Sequence, residues 1–383
     1  MTPPTVAIDL RQFFEHPLAT GVQRVLLCML EHWPDDVAEA RVLGCAEGRL
    51  FYMSAEAAAR CIRACFDYDG EYFGSNEGLK RVLAAQLERE VRSETRWPEA
   101  LLMADRFLIA EPSLDTGRLR DWAEANRVMP TTMIFYDAMP QTNPEFFKPH
   151  EVAFASAYSR LAAGMPRVVS ISPSAATVLI DRLRNPHPAA GQVALPGADH
   201  IPVSRSAAPR TPVFLVVSSV EKRKRFGVIV DAFLAAAEAV GTIELHIIGR
   251  RGSDGTLVEE AAGRHGRSRI RWFQDANDEA LTAFASRSTA LFSIGEEGYG
   301  LPAVEMLRRG CPVVFAGTQP AAQIAEGFGT LRLADASVES VAEAMIRLAD
   351  PGEAAALREN IRIENLPTWQ KFANDIARVS AAP

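Results

Sequence analysis

The chain has 383 residues, of which 48% are hydrophobic and 23% charged, and its formal net charge is −7. This length suits two domains of about 150–200 residues each. The negative charge argues against a broad nucleic-acid surface, and no apolar run reaches the roughly 20 residues needed to cross a bilayer. The N-terminal stretch lacks the basic and apolar regions of a secretory signal, so we expect no leader and a cytoplasmic protein.

Short β-branched runs alternate with longer segments rich in Ala, Leu, Glu and Arg in the first half of the chain, a pattern typical of parallel-sheet domains. The predicted strands are 6–8, 41–43, 107–109, 132–135 and 168–171. The predicted helices lie near 20–32, 80–92, 117–126, 150–163 and 174–184. The stretch 185–212 is rich in Pro, Ala, Gly and Ser and is predicted to be a loop followed by a linker.

A second α/β run follows the linker. Its predicted strands are 213–217, 243–248, 270–273, 290–294 and 312–315, each separated from the next by a helical segment. The run 213–217 is apolar without alternation, which indicates a buried parallel strand. Further helices are predicted near 338–349 and 353–362, and the tail 369–379 is amphipathic. In two doubly wound domains, ligands are expected at the C-terminal ends of the strands.

The five cysteines are expected to be reduced thiols, because the chain shows no secretory signal. They are Cys28, Cys45, Cys61, Cys65 and Cys311. Cys61 and Cys65 lie four positions apart in a helical segment, and no second pair or nearby His completes a zinc site. Their expected role is therefore packing on one helix face.

The most informative stretch follows the predicted strand 290–294. Gly298 and Gly300 let the backbone approach a ligand, and Pro302 favours a helix start. The N–H groups at that start can hold an anion. Glu297 and Glu305 flank this anion site, and because carboxylates repel phosphate, we expect them to face hydroxyl-rich groups such as ribose or a sugar. The pattern suggests a nucleotide-sugar pocket, although an acid in the first helical turn, as at Glu305, is also stabilising by itself.

The Glu-x7-Glu spacing, with Gly-Tyr-Gly-Leu-Pro inside it and 309–314 (Arg-Gly-Cys-Pro-Val-Val) after it, resembles the donor-site signature of retaining GT-B glycosyltransferases. The similar group is the glycogen-synthase-like, α-mannosyltransferase-like family 4 type, in its bacterial polysaccharide-assembly branch. The resemblance implies two Rossmann-like domains facing across a cleft and a C-terminal helix that crosses back. The implied parts are an acceptor-side domain (1–205), a nucleotide-sugar donor domain (206–365) and the returning helix (366–383).

Four successive cations, 222–225, follow the strand 213–217 at a strand-to-helix turn. Cations oppose the dipole at a helix N-terminus, so a bound anion explains them better than a solvated helix start. The resemblance assigns Lys224, preceded by Arg223, to the donor diphosphate, and it places Ser219 in the same site. Many relatives carry a further Arg where this chain has Ser218, and here Arg223 or the neighbouring Arg would compensate.

Two further elements complete the predicted donor site. The segment 249–255 is not a dinucleotide fingerprint, because its first two glycines are three positions apart. Relatives have a glycine-rich loop here, which assigns Gly249 to the nucleotide pocket and leaves Arg250 either paired with phosphate or exposed. Thr20-Gly21 begins an element that resembles the Thr-Gly-x-x-Arg-Val run of polysaccharide-assembling members. Gly21 would let the backbone approach the donor phosphate or the acceptor, and the alternative is a plain helix start capped by Thr20.

Tyr136-Asp137 resembles the His-Asp-x-x-Pro element of the same relatives, whose His lies near the transferred sugar. Tyr136 replaces that His, and a tyrosine donates a hydrogen bond but is no base near neutral pH. Asp137 is expected to orient a sugar hydroxyl or the acceptor, and the alternative is that it caps a turn.

No metal or other cofactor is expected. Metal independence is implied by the resemblance. Asp67-Tyr68-Asp69 has the Asp-x-Asp spacing of metal-dependent GT-A enzymes, but it follows a helical run and is interpreted as a surface turn. The sequence contains no His-Glu-x-x-His, P-loop or Gly-x-Ser-x-Gly pattern, so metalloprotease, NTPase and hydrolase functions have no local support.

The resemblance implies a retaining transfer of a hexosyl or deoxyhexosyl group from a nucleoside diphosphate sugar to a hydroxyl. The acceptor would be a glycan or a lipid-linked molecule in bacterial surface polysaccharide or lipopolysaccharide assembly, which leaves open a peripheral contact with the inner face of the plasma membrane. The alternatives are a catalytically silent nucleotide-sugar-binding module and a GT-B nucleotide-sugar epimerase. The sequence does not specify the base, the sugar, the acceptor or the oligomeric state.

The expected roles divide among three groups of residues. Lys224 and the N–H groups of Gly298, Tyr299, Gly300 and Leu301 stabilise the leaving group, since electrostatic stabilisation is usually the largest catalytic term. Glu305 binds ribose hydroxyls and Glu297 binds sugar hydroxyls, and the catalytic set is Glu297, Lys224 and Asp137. Tyr136 and Thr20 are placed on the acceptor side.

Overall fold

Two separate sheets organise the chain in the computed structural model, which describes residues 2–68, 77–91, 93–204, 209, 211–264, 269–274 and 276–382. Unit 1 comprises Met1–Gly197 and Pro367–Pro383, and unit 2 comprises Ala198–Leu366. The boundaries drawn from the sequence, at 205/206 and 365/366, lie close to these breaks.

Unit 1 contains eight strands within the described residues. They are β1 (Thr5–Asp9), β2 (Glu39–Ala46), β3 (Arg49–Ser54), β4 (Ser93–Thr95), β5 (Arg106–Ile109), β6 (Thr131–Phe135), β7 (Val168–Ser170) and β8 (Gln192–Val193). Their order is β4-β3-β2-β1-β5-β6-β7-β8, with β3 antiparallel to both of its neighbours and the remaining pairs parallel. The order reverses direction between β1 and β5, which makes the carboxyl ends of these two strands the switch point of the sheet.

Helices cover the unit 1 sheet. They are α1 (Arg11–Glu15), α2 (Gly21–Glu31), α3 (Ala55–Phe66), α4 (Glu77–Glu90), α5 (Thr116–Val128), α6 (Met139–Thr142), α7 (Pro149–Gly164) and α8 (Pro173–Thr177). Short 3-10 turns lie at Glu99–Met103, Pro144–Phe146 and Pro188–Gly191, and a π-turn, Val178–Arg182, continues α8. The central strand β1 is apolar and buried because helices pack on both faces of a parallel sheet.

Unit 2 is built on a sheet whose described strands are all parallel. They are β9 (Val213–Val217), β10 (Glu244–Ile248), β11 (Ile270–Phe273), β12 (Ala290–Ile294), β13 (Val313–Ala316) and β14 (Thr330–Arg332). The order β11-β10-β9-β12-β13-β14 is that of a dinucleotide-binding fold, with its switch point between β9 and β12.

The helices of unit 2 follow in chain order. They are α9 (Phe226–Val240), α10 (Gly255–Arg264), α11 (Asp278–Ser286), α12 (Leu301–Arg308), α13 (Pro320–Ile324), α14 (Val338–Leu348) and α15 (Pro351–Glu359), with 3-10 turns at Lys222–Lys224 and Ile363–Asn365. The core lies between the sheet and α9 and α14, where Phe214 meets Phe292 edge to face with 5.3 Å between ring centroids.

All ten strands predicted from the sequence are present. β3, β4, β8 and β14 were not predicted. Cys61 and Cys65 are buried on α3, where burial raises the pKa of each thiol to about 12, as fits a packing role. Asp67 follows the last turn of α3, and Asp69 lies outside the described residues. Within the part of the chain that the structure describes, no helix is both long and apolar enough to cross a membrane.

The C-terminal helix α16 (Trp369–Ala381) belongs to unit 1, where it packs against α2, β1, β5 and β6. Its apolar face is fully buried, and Thr368 caps its start by accepting a hydrogen bond from the Lys371 N–H. Arg106 and Arg167 donate to the carbonyl of Ala382 at 3.2 and 2.8 Å, which secures the other end of the helix.

The substitution Trp369→Ala tests how much this helix stabilises unit 1. Its ring is fully buried and lies edge to face with Phe372 at 5.6 Å. Trp369→Ala should lower the free energy of unfolding by roughly 3–5 kcal/mol, because it removes a large core side chain and leaves a cavity. The exposed Lys371→Ala on the same helix should change it by less than about 0.5 kcal/mol. Urea unfolding followed by circular dichroism measures both, and equal midpoints would contradict the assigned packing.

Candidate functional site in unit 2

The loops that follow β9 and β12 lie side by side at the switch point of the unit 2 sheet. Glu296 N–H donates to the carbonyl of Arg223 at 3.3 Å, so the two backbones touch directly. Gly295 makes this approach possible: its φ is +110°, and a Cβ there would lie 2.1 Å from the Arg223 carbonyl oxygen. The two loops therefore form one continuous surface at the carboxyl ends of adjacent strands.

Lys224 ends the 3-10 turn after β9 and is only 5% exposed. Its ammonium group forms an ion pair with Glu297 Oε1. Arg223 donates from Nη1 to Glu297 Oε2 at 3.2 Å and from Nε to Glu221 Oε2 at 2.9 Å. Two cations are thus balanced by two carboxylates, and because Lys224 is buried, its charge is weakly screened by water.

The segment 298–301 leads from this ion pair into α12. Gly300, with φ +90°, occupies the N-cap position, so α12 begins at Leu301 and Pro302 is its second residue. Tyr299 is buried, its carbonyl accepts from the Ala321 N–H at 2.8 Å, and burial raises the pKa of its phenol well above the usual range. Because Gly300 lies next to the Glu297 side chain, the N-terminal, positive end of the α12 dipole is beside Glu297.

Glu305 lies one turn into α12 and is buried. Its Oε1 is 3.3 Å from His200 Nε2, and its Oε2 is 3.8 Å from Arg309 Nη1. Arg309 is itself fully buried, with Nε donating to Thr282 Oγ1 at 3.1 Å and Nη2 lying 3.5 Å from Asp278 Oδ1. Glu305 therefore carries its negative charge between two basic side chains.

Gly249 and Arg250 lie against the loop that follows β9. A Cβ on Gly249, whose φ is +143°, would lie 2.0 Å from the Ser218 carbonyl oxygen, so only glycine fits there. Arg250 is half-buried, and its carbonyl accepts from the Val220 N–H at 2.9 Å. Ser219, also half-buried, lies between these contacts. The predicted donor-site residues of unit 2 thus converge on the carboxyl ends of β9, β10 and β12.

Gln319 and Thr318 are members of this surface that the sequence argument did not include. Gln319 is buried, donates from Nε2 to the Gly295 carbonyl at 3.0 Å and accepts from Ser293 Oγ at 2.8 Å. The Thr318 carbonyl accepts from the Glu297 N–H at 2.9 Å. Both residues could have been predicted from the sequence, since they follow the predicted strand 312–315 at its carboxyl end, where ligands are expected to bind.

The predicted site residues of unit 1 make local contacts. Thr20 caps α2 by accepting from the Gln23 N–H at 3.4 Å, and Gly21 is the exposed first residue of that helix. Asp137 Oδ1 accepts from the Met139 N–H at 3.1 Å, a turn-capping contact.

Tyr136 is buried at the end of β6. Its hydroxyl donates to the Ala110 carbonyl at 2.9 Å, and burial raises its pKa well above the usual value. The phenol proton is therefore held by the backbone of the neighbouring strand end, which fits the expectation that this position supplies no base near neutral pH.

Unit 1 has a cavity of about 430 Å³ at its own switch point, formed by the loops after β1 and β5. It is lined by Gln12, His16, Pro112, Ser113, Leu114 and Asp115. Beside it, Glu111 is buried and accepts from the Phe13 N–H at 2.7 Å. Burial, reinforced by the charge of Asp9, raises the pKa of Glu111 to about 8.

Metal binding has no visible support among the described residues, because they contain no group of three or more His, Cys, Asp or Glu side chains that could hold an ion. The expectation that the chain needs no metal stays a prediction.

Residues 199–364, which lie within unit 2, match the family described as "Glycosyl transferases group 1". The serotype-specific mannosyltransferase WbdA of Escherichia coli is 30% identical over 112 residues. These residues are 28% of this chain and only 14% of the length of WbdA.

Solved structures match almost the whole chain. HepE of Anabaena in complex with UDP-glucose is 16% identical, with 98% of this chain and 97% of HepE covered and a TM-score of 0.64. WaaG, a glycosyltransferase involved in lipopolysaccharide biosynthesis, is 14% identical, with 98% and 99% covered and a TM-score of 0.62. These likenesses confirm the predicted GT-B fold, with its two Rossmann-like α/β units and a C-terminal helix that returns to the first.

Gly295→Ala tests whether the two unit 2 loops depend on their close approach. Gly241 is a matched control, because its φ is also positive (+86°) but no atom lies within 4 Å of an added Cβ. Gly241→Ala should cost about 1–3 kcal/mol, the cost of a sparsely populated backbone conformation alone. Gly295→Ala should cost at least about 2 kcal/mol more, because its Cβ meets the Arg223 carbonyl. Urea unfolding checks this, and equal losses would contradict the close approach.

The raised pKa of Glu111 predicts that the free energy of unfolding depends on pH. Between pH 4.5, the ordinary pKa of a glutamate, and about 8, the folded chain holds one more proton at this site than the unfolded chain. Raising the pH through this window therefore lowers the free energy of unfolding, by at most about 1.4 kcal/mol per pH unit. Glu111→Gln removes this dependence, so its stability relative to wild type should rise from pH 5 to pH 8. A constant difference between the two proteins would refute the assignment.

Proposed function

We propose that this chain transfers a sugar from a nucleoside diphosphate sugar to a hydroxyl of a glycan or lipid-linked acceptor, with retention of configuration, in bacterial surface polysaccharide or lipopolysaccharide assembly. The observation that carries the proposal is the buried Lys224 paired with Glu297 beside the start of α12, at the switch point of the unit that matches the group 1 glycosyltransferase family. WbdA, HepE with UDP-glucose, and WaaG support a nucleotide-sugar donor and an acceptor of this class.

In this proposal, Lys224 and Arg223 bind the donor diphosphate together with the N–H groups of 298–301. A phosphate group brings the negative charge that Lys224 now receives from Glu297, so donor binding exchanges one anionic partner for another. The dipole of α12 adds to this attraction. Negative charge grows on the diphosphate as the sugar leaves, and a buried cation stabilises that charge more strongly than a solvated one does.

Glu297 is assigned to the sugar hydroxyls and Glu305 to the ribose hydroxyls. Glu297 becomes available to the sugar when the diphosphate takes over Lys224. No side chain is assigned as a nucleophile: the acceptor hydroxyl attacks on the face that the leaving group departs from, and the departing phosphate accepts its proton. In unit 1, Asp137 is assigned to orient a sugar or acceptor hydroxyl. Thr20 and Tyr136 are assigned to the acceptor side, and Gly21 to a close approach of the backbone to the donor phosphate or the acceptor.

Lys224→Ala tests the diphosphate site, with Lys222→Ala as its matched control. The two lysines share one 3-10 turn, but Lys222 is exposed whereas Lys224 is buried. Lys224→Ala should weaken binding of UDP or GDP by about 10- to 100-fold, because one charge-assisted hydrogen bond to phosphate is lost. Lys222→Ala should change it by less than about threefold. Isothermal titration calorimetry measures both.

Thermal melting should first verify that both variants fold. Equal nucleotide affinity in Lys224→Ala and wild type would remove the site assignment. Nucleotide binding without sugar transfer to any added glycan or lipid-linked acceptor would favour the catalytically silent module, and conversion of the donor to an epimer without an acceptor would favour the epimerase.

A further inference from the structure

The turn 295–300, which connects β12 to α12, contains three glycines, Gly295, Gly298 and Gly300. Glycine allows more backbone conformations than any other residue, so the sequence of the turn does not fix its shape. Backbone N–H groups bind an anion well only when they already point at its position before it arrives. A turn of this composition therefore needs contacts from outside to hold its backbone.

Backbone hydrogen bonds join the turn to the segment that follows β13. The Gly295 N–H donates to the Ala316 carbonyl at 3.0 Å, and the Glu297 N–H donates to the Thr318 carbonyl at 2.9 Å. A third bond from the same segment ends on the Tyr299 carbonyl. The position of the turn thus depends on the segment after β13.

Gln319, in the same segment, adds a side-chain contact. It is only 1% exposed and occupies the N-cap position of α13, yet within the described residues its side chain makes no hydrogen bond that caps this helix. Instead, Nε2 donates to the Gly295 carbonyl at 3.0 Å, and Oε1 accepts from Ser293 Oγ at 2.8 Å. A carbonyl oxygen only accepts, so the nitrogen end of the carboxamide is the end that faces Gly295.

The carboxamide of Gln319 also lies against the other end of the turn. A Cβ added to Gly300 would lie 3.3 Å from Gln319 Oε1 and 3.5 Å from Glu297 Cγ. Gln319 therefore binds the turn at Gly295, next to β12, and packs beside it at Gly300, next to α12. One buried side chain thus contacts both ends of the turn.

The Gly295 carbonyl lies in a crowded, buried place. A Cβ added to Gly317 would lie 2.4 Å from its oxygen, so the backbone after β13 closes in on one side while Gln319 donates to it. Without that donor, a buried carbonyl would lose its partner, which is costly. The turn would then shift until the carbonyl found another donor, and the N–H groups that follow would shift with it.

We propose that Gln319 is a positioning residue, which holds the turn 295–300 in the shape that binds the donor diphosphate. This inference rests on the proposed function, which assigns Lys224 and the N–H groups of 298–301 to that group. Gln319 is buried and does not touch the ligand: it acts through the backbone of the turn. Its effect is therefore on binding of the diphosphate and not on binding of the nucleoside.

The test compares a nucleoside diphosphate with its parent nucleoside, using UDP and uridine or GDP and guanosine, whichever pair the wild-type chain binds more tightly. Nuclear magnetic resonance titration measures both dissociation constants. The constant of the nucleoside divided by that of the diphosphate should be at least about 100-fold in wild type, because phosphate groups add charge-assisted hydrogen bonds. Gln319→Met, which keeps the volume but removes both hydrogen bonds, should lower this ratio by about fivefold, because the turn is no longer preorganised.

Asn185→Leu is a matched control for damage to the fold. Asn185 is a buried carboxamide whose Nδ2 donates to the carbonyls of Ala162 and Met165 at 2.8 and 2.9 Å. Its replacement removes hydrogen bonds of the same kind within unit 1, so the ratio should stay at the wild-type value. A lower ratio in Gln319→Met alone supports positioning. A wild-type ratio in Gln319→Met, or an equal fall in both variants, overturns the inference.

Ser293→Ala is a second and milder variant. It removes only the hydroxyl that donates to Gln319 Oε1, so the carboxamide is held at one end and the ratio should fall by about twofold. If Gln319→Met does not fold, Ser293→Ala decides the question. The expected fall then supports the inference, and a wild-type ratio overturns it.

Lys224→Ala separates failure of this inference from failure of the proposed function. Loss of the lysine should lower the ratio by at least about tenfold, because Lys224 is assigned to the diphosphate itself. If the ratio falls in Lys224→Ala but stays at the wild-type value in Gln319→Met, only the role of Gln319 is wrong. If it is unchanged in Lys224→Ala, or if the wild-type chain binds none of these nucleotides, the diphosphate site fails and the inference fails with it.

Discussion

The ion pair between Lys224 and Glu297 is the contact on which the proposed donor site depends, because it joins the loops that follow two neighbouring parallel strands. Backbone sterics bring these loops together, since Gly295 alone permits the approach to the Arg223 carbonyl. Once the loops touch, the buried Lys224 of one loop lies beside the half-buried Glu297 of the other. Burial gives the pair its strength and makes it responsive to any other anion that enters.

Such a pair is not an efficient way to stabilise a fold. Desolvation of two charges offsets much of their attraction, and apolar replacements of similar size often give a more stable protein. The core between the sheet and α9 and α14 already holds unit 2 together through its aromatic and aliphatic side chains. The proposed function gives a reason for the cost of keeping Lys224 out of water, since Lys224 is buried at the switch point, where the donor diphosphate would bind.

Local pattern predicted most of the sheets but not the contacts that connect distant segments. The ten predicted strands were identified from their apolar runs. β3 was missed because the turn that precedes it, Glu47-Gly48, is not a usual hairpin sequence. Both turn residues have positive φ, and Glu is not among the residues that usually favour such turns. The approach of Lys224 to Glu297 was anticipated only through the family resemblance. His200 and Glu305 are separated by more than a hundred positions, and no spacing rule links them. Gln319 could have been found, because it follows a predicted strand at its carboxyl end.

The switch points of the two units both contain charged groups, but they differ in how these charges are paired and exposed. In unit 2 the cations lie on the rim of the loops, where Lys222 and Arg225 are exposed and Lys224 is buried behind them. In unit 1 the corresponding charges are matched internally: Arg11 donates to Asp9 at 2.7 Å, and Arg118 pairs with Glu15. Glu111 there is protonated near neutral pH because of its burial. An anionic ligand is thus favoured by unit 2, whereas the cavity of unit 1, lined by Gln12, His16, Ser113 and Asp115, offers hydrogen-bonding groups without excess positive charge. Since a diphosphate is anionic, this difference in charge between the two switch points agrees with the proposed function, which places the donor diphosphate in unit 2.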